Sequence, residues 1–147
     1  MPALSKVSAG WKMEDSREAF TEAVQKNLEK ILEEDGWEVG LYLARAEKAE
    51  ADGYPEVARV IREVAMDESN HLARVAKLMR PDRIDRDVKT NLMAMIERDT
   101  DAAERERDMA KKARAVGMEK EARPFESLAQ KEMEHVEKLR VALRSLE

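Results

Sequence analysis

Both histidines of the chain, His71 and His135, follow a glutamate by three residues, the glutamates being Glu68 and Glu132. Residues three apart lie on the same face of an α-helix, so each glutamate and its histidine could bind one metal ion together. Since the sequence has no cysteine, any metal site must use carboxylates and imidazoles as ligands. One Glu-x-x-His motif is a weak indication of such a site, but two in one chain are a specific signal.

Each Glu-x-x-His motif interrupts a stripe of apolar residues spaced three and four apart. This spacing is that of one face of a helix, and an apolar face predicts packing inside a helical bundle. The first stripe consists of Ile61, Val64, Glu68, His71, Val75 and Leu78. The second stripe consists of Phe125, Leu128, Glu132, His135, Leu139 and Ala142. We therefore expect both motifs to face the core of the bundle.

The second half of the chain repeats the first at a constant offset of 64 residues. This repeat predicts a duplicated helical hairpin, with half-repeats at about residues 16–79 and 80–143, in a single domain of residues 1–147. A glycine near the middle of each half is expected to end a helix, because glycine readily adopts the left-handed conformation. The residue pairs that match at this offset include Asp35 and Asp99, Gly53 and Gly117, Glu68 and Glu132, and His71 and His135.

Helix-capping and helix-breaking residues predict where the four helices begin and end. Pro55 suits the first turn of the second helix, and Pro81 breaks the pattern after it. Pro124 lies inside the predicted fourth helix, so a kink or a delayed start is expected there. Residues 1–14 have no clear period and are expected to be a leader. The predicted helices span about residues 16–51, 55–79, 87–116 and 119–146.

Composition limits the classes of function. Charged residues make up 40% of the chain and aromatic residues 4%, which is typical of long, well-solvated helices. The net charge of −5 and the dispersal of lysine and arginine among glutamates argue against a nucleic-acid partner. No stretch approaches the roughly 18 apolar residues of a membrane span, and the N-terminus lacks the apolar run of a signal peptide. We therefore expect a cytoplasmic protein with neither nucleic acid nor membrane as a partner.

Two aspartates of the repeat are expected to lie at the same level of the bundle as the Glu-x-x-His motifs. Each aspartate precedes its helix-ending glycine by 18 residues, and each glutamate follows that glycine by 15. Paired helices run in opposite directions with equal rise per residue, so these side chains should converge. Lysines and arginines at core positions are too few to balance four buried carboxylates. The predicted ligands of a site for two divalent ions are therefore Asp35, Glu68, His71, Asp99, Glu132 and His135.

The chain resembles the rubrerythrin branch of the ferritin-like proteins over about residues 28–79 and 93–143. The resemblance is carried by DGWEVGLY, DGYPEVARV and ESNH in the first half, and by EAR and SLAQKEMEH in the second. It implies an all-α, ferritin-like four-helix bundle with a non-haem di-iron centre that reduces hydrogen peroxide or dioxygen. Manganese or zinc could occupy the same ligands. The sequence contains no cysteine-based rubredoxin module, so the electrons are expected from an external donor such as a rubredoxin-like protein.

Several positions bear on how far this resemblance extends to the site. Asp35 and Asp99 stand where the family usually has glutamate, and the shorter side chain favours binding through one oxygen. Ala102 stands where rubrerythrins carry an additional glutamate, whereas its mate in the first repeat is Glu38. Glu38 is therefore a candidate for a carboxylate that changes partner with the oxidation state of iron. Tyr42, seven residues after Asp35, matches a tyrosine that lies beside the metals in that family.

The segment between the second and third helices favours a dimer. In a ferritin-like site these two helices run in the same direction, so their connection must return along the bundle. The return is ~28 Å, and the nine steps of chain from Met79 to Val88 reach only about 30–32 Å when fully extended. A domain-swapped homodimer avoids this strain, because helices one and two of one chain would pack with helices three and four of another.

Peroxide reduction, with Glu68 and Glu132 as bridging ligands, is the preferred function, and three alternatives are kept open. The same ligands could form a ferroxidase centre that stores or delivers iron. A di-manganese site could act as a catalase, which would release oxygen from peroxide. A metal-free helical interaction protein would instead use these side chains as a polar core network, and its folding would not depend on metal.

Overall fold

The computed structural model describes residues 13–147, with side chains from residue 17 onward, and this part of the chain is almost entirely helical. A 3-10 turn at Pro81–Arg83 separates the second and third helices, and the described residues form no strand. The predicted leader, residues 1–14, lies almost wholly outside the described part. The all-α fold class is confirmed. The four helices are α1 (Met13–Ala51), α2 (Pro55–Met79), α3 (Val88–Ala115) and α4 (Glu119–Arg144).

The helices pair as two hairpins, as the internal repeat predicts. Helix α1 packs against α2, and α3 packs against α4. The chain divides between Pro81 and Asp82 into two compact units, each containing one hairpin. We call them the first hairpin and the second hairpin and describe each by itself.

Both hairpins turn at a glycine in the left-handed conformation. Gly53 has a φ of 89° and Gly117 a φ of 78°, which a side chain would make strained. The residue after each glycine donates its backbone N–H to the carbonyl five residues earlier, over 2.9 Å, from Tyr54 to Ala49 and from Met118 to Ala113. This is the bond pattern of a Schellman motif. The two turns therefore fix the register of the two hairpins in the same way.

The start of the second hairpin is set by a helix cap. Asp87 accepts a 2.8 Å hydrogen bond from the backbone N–H of Thr90 at the N-terminus of α3. The pKa of Asp87 lies below its ordinary value, because the hydroxyl and backbone N–H of Thr90 both bond to its carboxylate. Helix α4 begins at Glu119 and continues through Pro124, so the delayed start expected from this proline does not occur.

Rows of alanine hold each hairpin together. In the first hairpin these are Ala46, Ala58 and Ala65, and in the second Ala103, Ala110, Ala122 and Ala129, all at most 2% exposed. Three pairs of these alanines match at the repeat offset. Small side chains let the paired helices approach closely. Val136, which is fully buried, is the largest side chain enclosed in this way within the described residues.

The predicted apolar stripes are less buried than the sequence suggested. Val64 is 42% exposed, Leu128 49% and Leu78 72%. The alanines are the buried residues of each hairpin, and the stripe lies beside them on the helix. Periodicity identified an apolar face correctly but could not tell which element covers it. None of the helices in the described part combines the length and apolar character needed to cross a membrane.

Candidate metal centre

Three predicted ligands come together in the second hairpin. Asp99 on α3 and Glu132 and His135 on α4 each offer a ligand atom, and these atoms lie within 4.8 Å of one another. The Nδ1 atom of His135 is 3.6 Å from Oε2 of Glu132 and 4.0 Å from Oδ2 of Asp99. Two carboxylates and an imidazole at these distances form one side of a site for a divalent ion such as iron, manganese or zinc.

The hairpin register explains why Asp99 and Glu132 meet. Gly117 fixes the turn, so a residue 18 positions before it lies opposite one about 15 positions after it. The neighbours of Asp99 toward the C-terminus of α3, Ala102 and Ala103, are buried and small, which allows α4 to lie close. This part of the predicted ligand convergence is therefore present in the structure.

The burial of these carboxylates suits a cation. Asp99 is 9% exposed and is the one charged residue classed as buried in the described part of the chain. The Oε2 atom of Glu132 is also buried and accepts no hydrogen bond. A buried acceptor without a donor costs stability, and more so when it carries charge. A metal ion bound by Asp99, Glu132 and His135 would satisfy this oxygen, so the residues present fit a divalent ion.

Arg98 is a part of this cluster that the sequence analysis did not identify. Its Nη1 atom lies 2.7 Å from Oδ1 of Asp99 and 3.9 Å from Oε2 of Glu132. The pKa of Arg98 lies above its ordinary value, mainly because its guanidinium donates a hydrogen bond to Asp99. The negative charges of Asp99, Glu132 and Glu106 raise it as well. A signal was present in the sequence, because the position that matches Arg98 in the first repeat is Glu34.

The first hairpin brings together only part of the predicted set. The Nδ1 atom of His71 lies 3.5 Å from Oε2 of Glu68, so this Glu-x-x-His motif has nearly the same geometry as the other. Asp35 is half-buried, and the described residues hold no group of three ligands around it like that in the second hairpin. Asp35 and Glu38 instead line a surface pocket on α1.

The chain matches the family model described as rubrerythrin over residues 26–143, which is most of its length. The chain belongs to the rubrerythrin family. Part of the chain is 37% identical, over 73 residues, to reverse rubrerythrin-1 of Clostridium acetobutylicum. That match covers 50% of this chain and 40% of the relative, so the chain spans less than half of that protein's length. An uncharacterized protein of Methanocaldococcus jannaschii is 31% identical over 117 residues, or 80% of this chain and 82% of that one.

Membership of the rubrerythrin family supports the predicted ferritin-like, all-α class. The additional family glutamate that the sequence analysis noted is absent at Ala102, which is 5% exposed and packs in the hairpin. A carboxylate does lie one turn further along the same helix. Glu106 has a buried Oε2 atom that accepts no hydrogen bond, and its position matches Tyr42 of the first repeat.

Glu38 and Tyr42 lie one turn apart on α1 and share a basic neighbour. An Nη1 atom of Arg45 is 3.8 Å from Oε2 of Glu38, and the Arg45 guanidinium lies 5.9 Å from the centre of the Tyr42 ring. A cation at this distance from an aromatic face is attracted to it. Both side chains are half-buried, so they remain accessible to a site beside α1.

Proposed function

We propose that this chain is a rubrerythrin-type non-haem di-iron oxidoreductase that reduces hydrogen peroxide, or dioxygen, with electrons from an external donor. The observation that carries the proposal is the Asp99, Glu132 and His135 cluster with its buried, undonated Glu132 oxygen. Family membership supplies the reaction class. The Glu-x-x-His motif of the first hairpin, in which Nδ1 of His71 lies 3.5 Å from Oε2 of Glu68, would supply ligands for a second ion.

The proposed centre takes one half from each repeat. Asp99 and His135 would be terminal ligands of one ion, with Asp35 and His71 in the same roles for the other. Glu68 and Glu132 would bridge the two. The four carboxylates would balance the charge of two divalent ions. Manganese or zinc could occupy the same oxygen and nitrogen ligands.

Two iron ions in this centre would supply the two electrons that reduction of one peroxide requires. The remaining requirement is two protons for each pair of water molecules formed. Tyr42 carries a phenolic proton, and Glu38 can hold or release one at its carboxylate, and both lie on the same side of α1 as Asp35. Glu38 pairs with Arg45 at 3.8 Å and would exchange this partner as the carboxylate that responds to the oxidation state of iron. Glu38 and Tyr42 are the proposed catalytic residues.

An external donor is proposed as the source of the electrons, since the given sequence contains no cysteine that could hold a thiolate-bound redox centre. A rubredoxin-like protein is the proposed class of donor. We place the protein in the cytoplasm and assign it neither nucleic acid nor a membrane as a partner.

We call Asp35, Glu68 and His71 the first half-site, and Asp99, Glu132 and His135 the second half-site. A domain-swapped homodimer would bring the two half-sites together without a strained linker. Only eight residues, 80–87, separate α2 from α3. Val64 and Leu128, both more than 40% exposed, would be covered when the first hairpin of one chain packs on the second hairpin of another. Light scattering of the metal-loaded protein should give a mass near twice 16.8 kDa. A monomer that still binds the full complement of metal would refute the swap.

Peroxide stoichiometry tests the reaction and separates it from its rivals. The chain is loaded anaerobically with ferrous iron, freed of excess metal and titrated with hydrogen peroxide. We expect about one peroxide to be consumed for two irons, with the iron retained and reduced again by an added donor. Loss of iron from the protein as mineral would favour a ferroxidase, and release of oxygen by a manganese-loaded sample would favour a catalase. In the same assay, unchanged turnover by Glu38→Ala would remove Glu38 from the mechanism.

A further inference from the structure

Arg98 is a surface side chain whose charged end reaches the buried carboxylates of the second hairpin. Its side chain is 71% exposed, against 12% for Asp99 and 18% for Glu132. The guanidinium nevertheless bonds to Oδ1 of Asp99 over 2.7 Å. A long, exposed arm that contacts buried carboxylates can leave them without unfolding the helix.

The guanidinium engages one carboxylate oxygen of the cluster and brings its positive charge close to another. Oδ1 of Asp99 accepts its hydrogen bond, and Oε2 of Glu132 lies 3.9 Å from the same nitrogen. The carboxylates of Asp99 and Glu132 have oxygens within 4.8 Å of each other, and they repel each other unless a cation lies between them. A single positive charge on Arg98 partly meets that need, but it leaves Oε2 of Glu132 without a hydrogen bond.

The first hairpin has no counterpart of this contact among its described residues. The matching position is Glu34, which pairs at 3.6 Å with Lys30 on the surface of α1. The duplication therefore preserves the proposed ligands and departs from symmetry at the residue directly before Asp99. The arginine is a property of the second half-site alone.

We propose that Arg98 is the counter-ion of the metal-free second half-site and competes with the metal for Asp99 and Glu132. This inference rests on the proposed metal centre. A divalent ion bound by these two carboxylates repels the guanidinium, so the measured affinity is the intrinsic affinity reduced by the cost of displacing it. Arg98 stabilises the metal-free protein and weakens metal binding by the same coupling free energy.

A surface carboxylate on α3 is available to pair with the displaced guanidinium. Arg98 also lines an open surface pocket of about 410 Å³, which it shares with the carboxylates of Glu97 and Asp101 and with the guanidinium groups of Arg83, Arg86 and Arg105. Asp101 lies three residues after Arg98 on the same helix, a spacing that allows an ion pair. An ion pair with Asp101 would then replace the contact that Arg98 makes with the buried carboxylates.

Metal affinity and the stability of the metal-free protein together test the competition. The full chain is stripped with chelator and titrated with Co²⁺ against a competing indicator, and its melting temperature is measured in chelator. We expect Arg98→Ala to bind Co²⁺ at least about fivefold more tightly than the unmodified protein, the lower end of typical coupling effects. The same variant should melt at a lower temperature without metal. Arg98→Lys, which keeps the charge but loses the planar fork, should fall between the two.

Arg107→Ala is the matched control, because it removes the same charge from the same helix at an exposed position nine residues further on. It should bind Co²⁺ within about twofold of the unmodified protein, since an exposed charge at that distance is largely screened. Equal or weaker binding by Arg98→Ala than by Arg107→Ala would overturn the competition while leaving the metal centre in place. Failure of every protein to bind metal would refute both. Binding by Arg98→Ala alone would support the competition in its strongest form.

Discussion

Replacing Glu132 by alanine is expected to abolish metal binding by the second half-site and to prevent formation of the paired centre. Glu132 supplies a buried oxygen that accepts no hydrogen bond and lies 3.6 Å from Nδ1 of His135. Its loss leaves Asp99 and His135 as two ligands, too few for a tight divalent site in a protein. We expect the metal content of the purified, reloaded protein to fall by at least half, and peroxide turnover to disappear.

The same substitution should have the opposite effect on the metal-free protein. Removal of a buried carboxylate that lacks a hydrogen-bond donor relieves a cost, so Glu132→Ala in chelator should melt at or above the temperature of the unmodified protein. Metal analysis and thermal melting of both forms measure the two effects. Glu132→Gln separates charge from side-chain volume, because it keeps the size and removes the charge.

Glu137→Ala is the control for this prediction. Glu137 lies on α4 five residues after Glu132, and it makes a surface ion pair with Arg144 at 3.2 Å. Exposed pairs of this kind contribute little to stability. This variant should load metal and turn over peroxide as the unmodified protein does. Full metal content in Glu132→Ala would show that Glu132 is not a ligand and would remove the basis of the proposed site.

Removal of metal is expected to lower the melting temperature of the unmodified protein steeply. Four carboxylates lose their counter-charge when the metals leave, and Arg98 offers compensation to only one half-site. Metal present at about 1,000 times its dissociation constant stabilises the folded state by about 4 kcal/mol. In a chain of this size each kcal/mol shifts the melting temperature by roughly 2–4 °C, so a decrease on the order of 10 °C is expected.

The measurement is a pair of thermal melts, one with metal and one with chelator, under anaerobic conditions for iron. A double variant, His71→Ala with His135→Ala, provides the comparison, because it removes one ligand from each half-site and keeps all carboxylates. Its melting temperature should be nearly the same with and without metal. If the unmodified protein also melts at one temperature in both conditions, the cluster is a structural polar network and the metal-free alternative is correct.

Local sequence rules predicted the elements that determine the second half-site. Gly53 and Gly117 ended helices as expected, because each turn requires a positive φ that glycine adopts without strain. Their positions set the hairpin register, and the register brought Asp99 opposite Glu132. Glu-x-x-His spacing then placed His135 beside them. These inferences depend on contacts within one hairpin, where sequence distance converts directly into height along a helix.

Two features could not be read in this way. The two stripes, which contain Val64 and Leu128, were correctly identified as apolar, but periodicity does not say whether a face packs within a hairpin or against another element. Arg98 was not predicted, because compensating cations were expected only at core positions. Its long side chain brings charge to the carboxylates from an exposed position. The signal for Arg98 in the sequence was that its matching position in the first repeat is occupied by Glu34, a residue of opposite charge.

The most direct test of the di-iron centre is to measure iron per chain and the absorption spectrum after anaerobic loading with ferrous iron. The spectrum is recorded before and after one equivalent of hydrogen peroxide. We predict about two irons per chain and the rapid appearance of near-ultraviolet absorption from an oxidised di-iron centre, absent in His71→Ala. A chain that binds no iron, or binds it without any spectral response to peroxide, would contradict the proposed function.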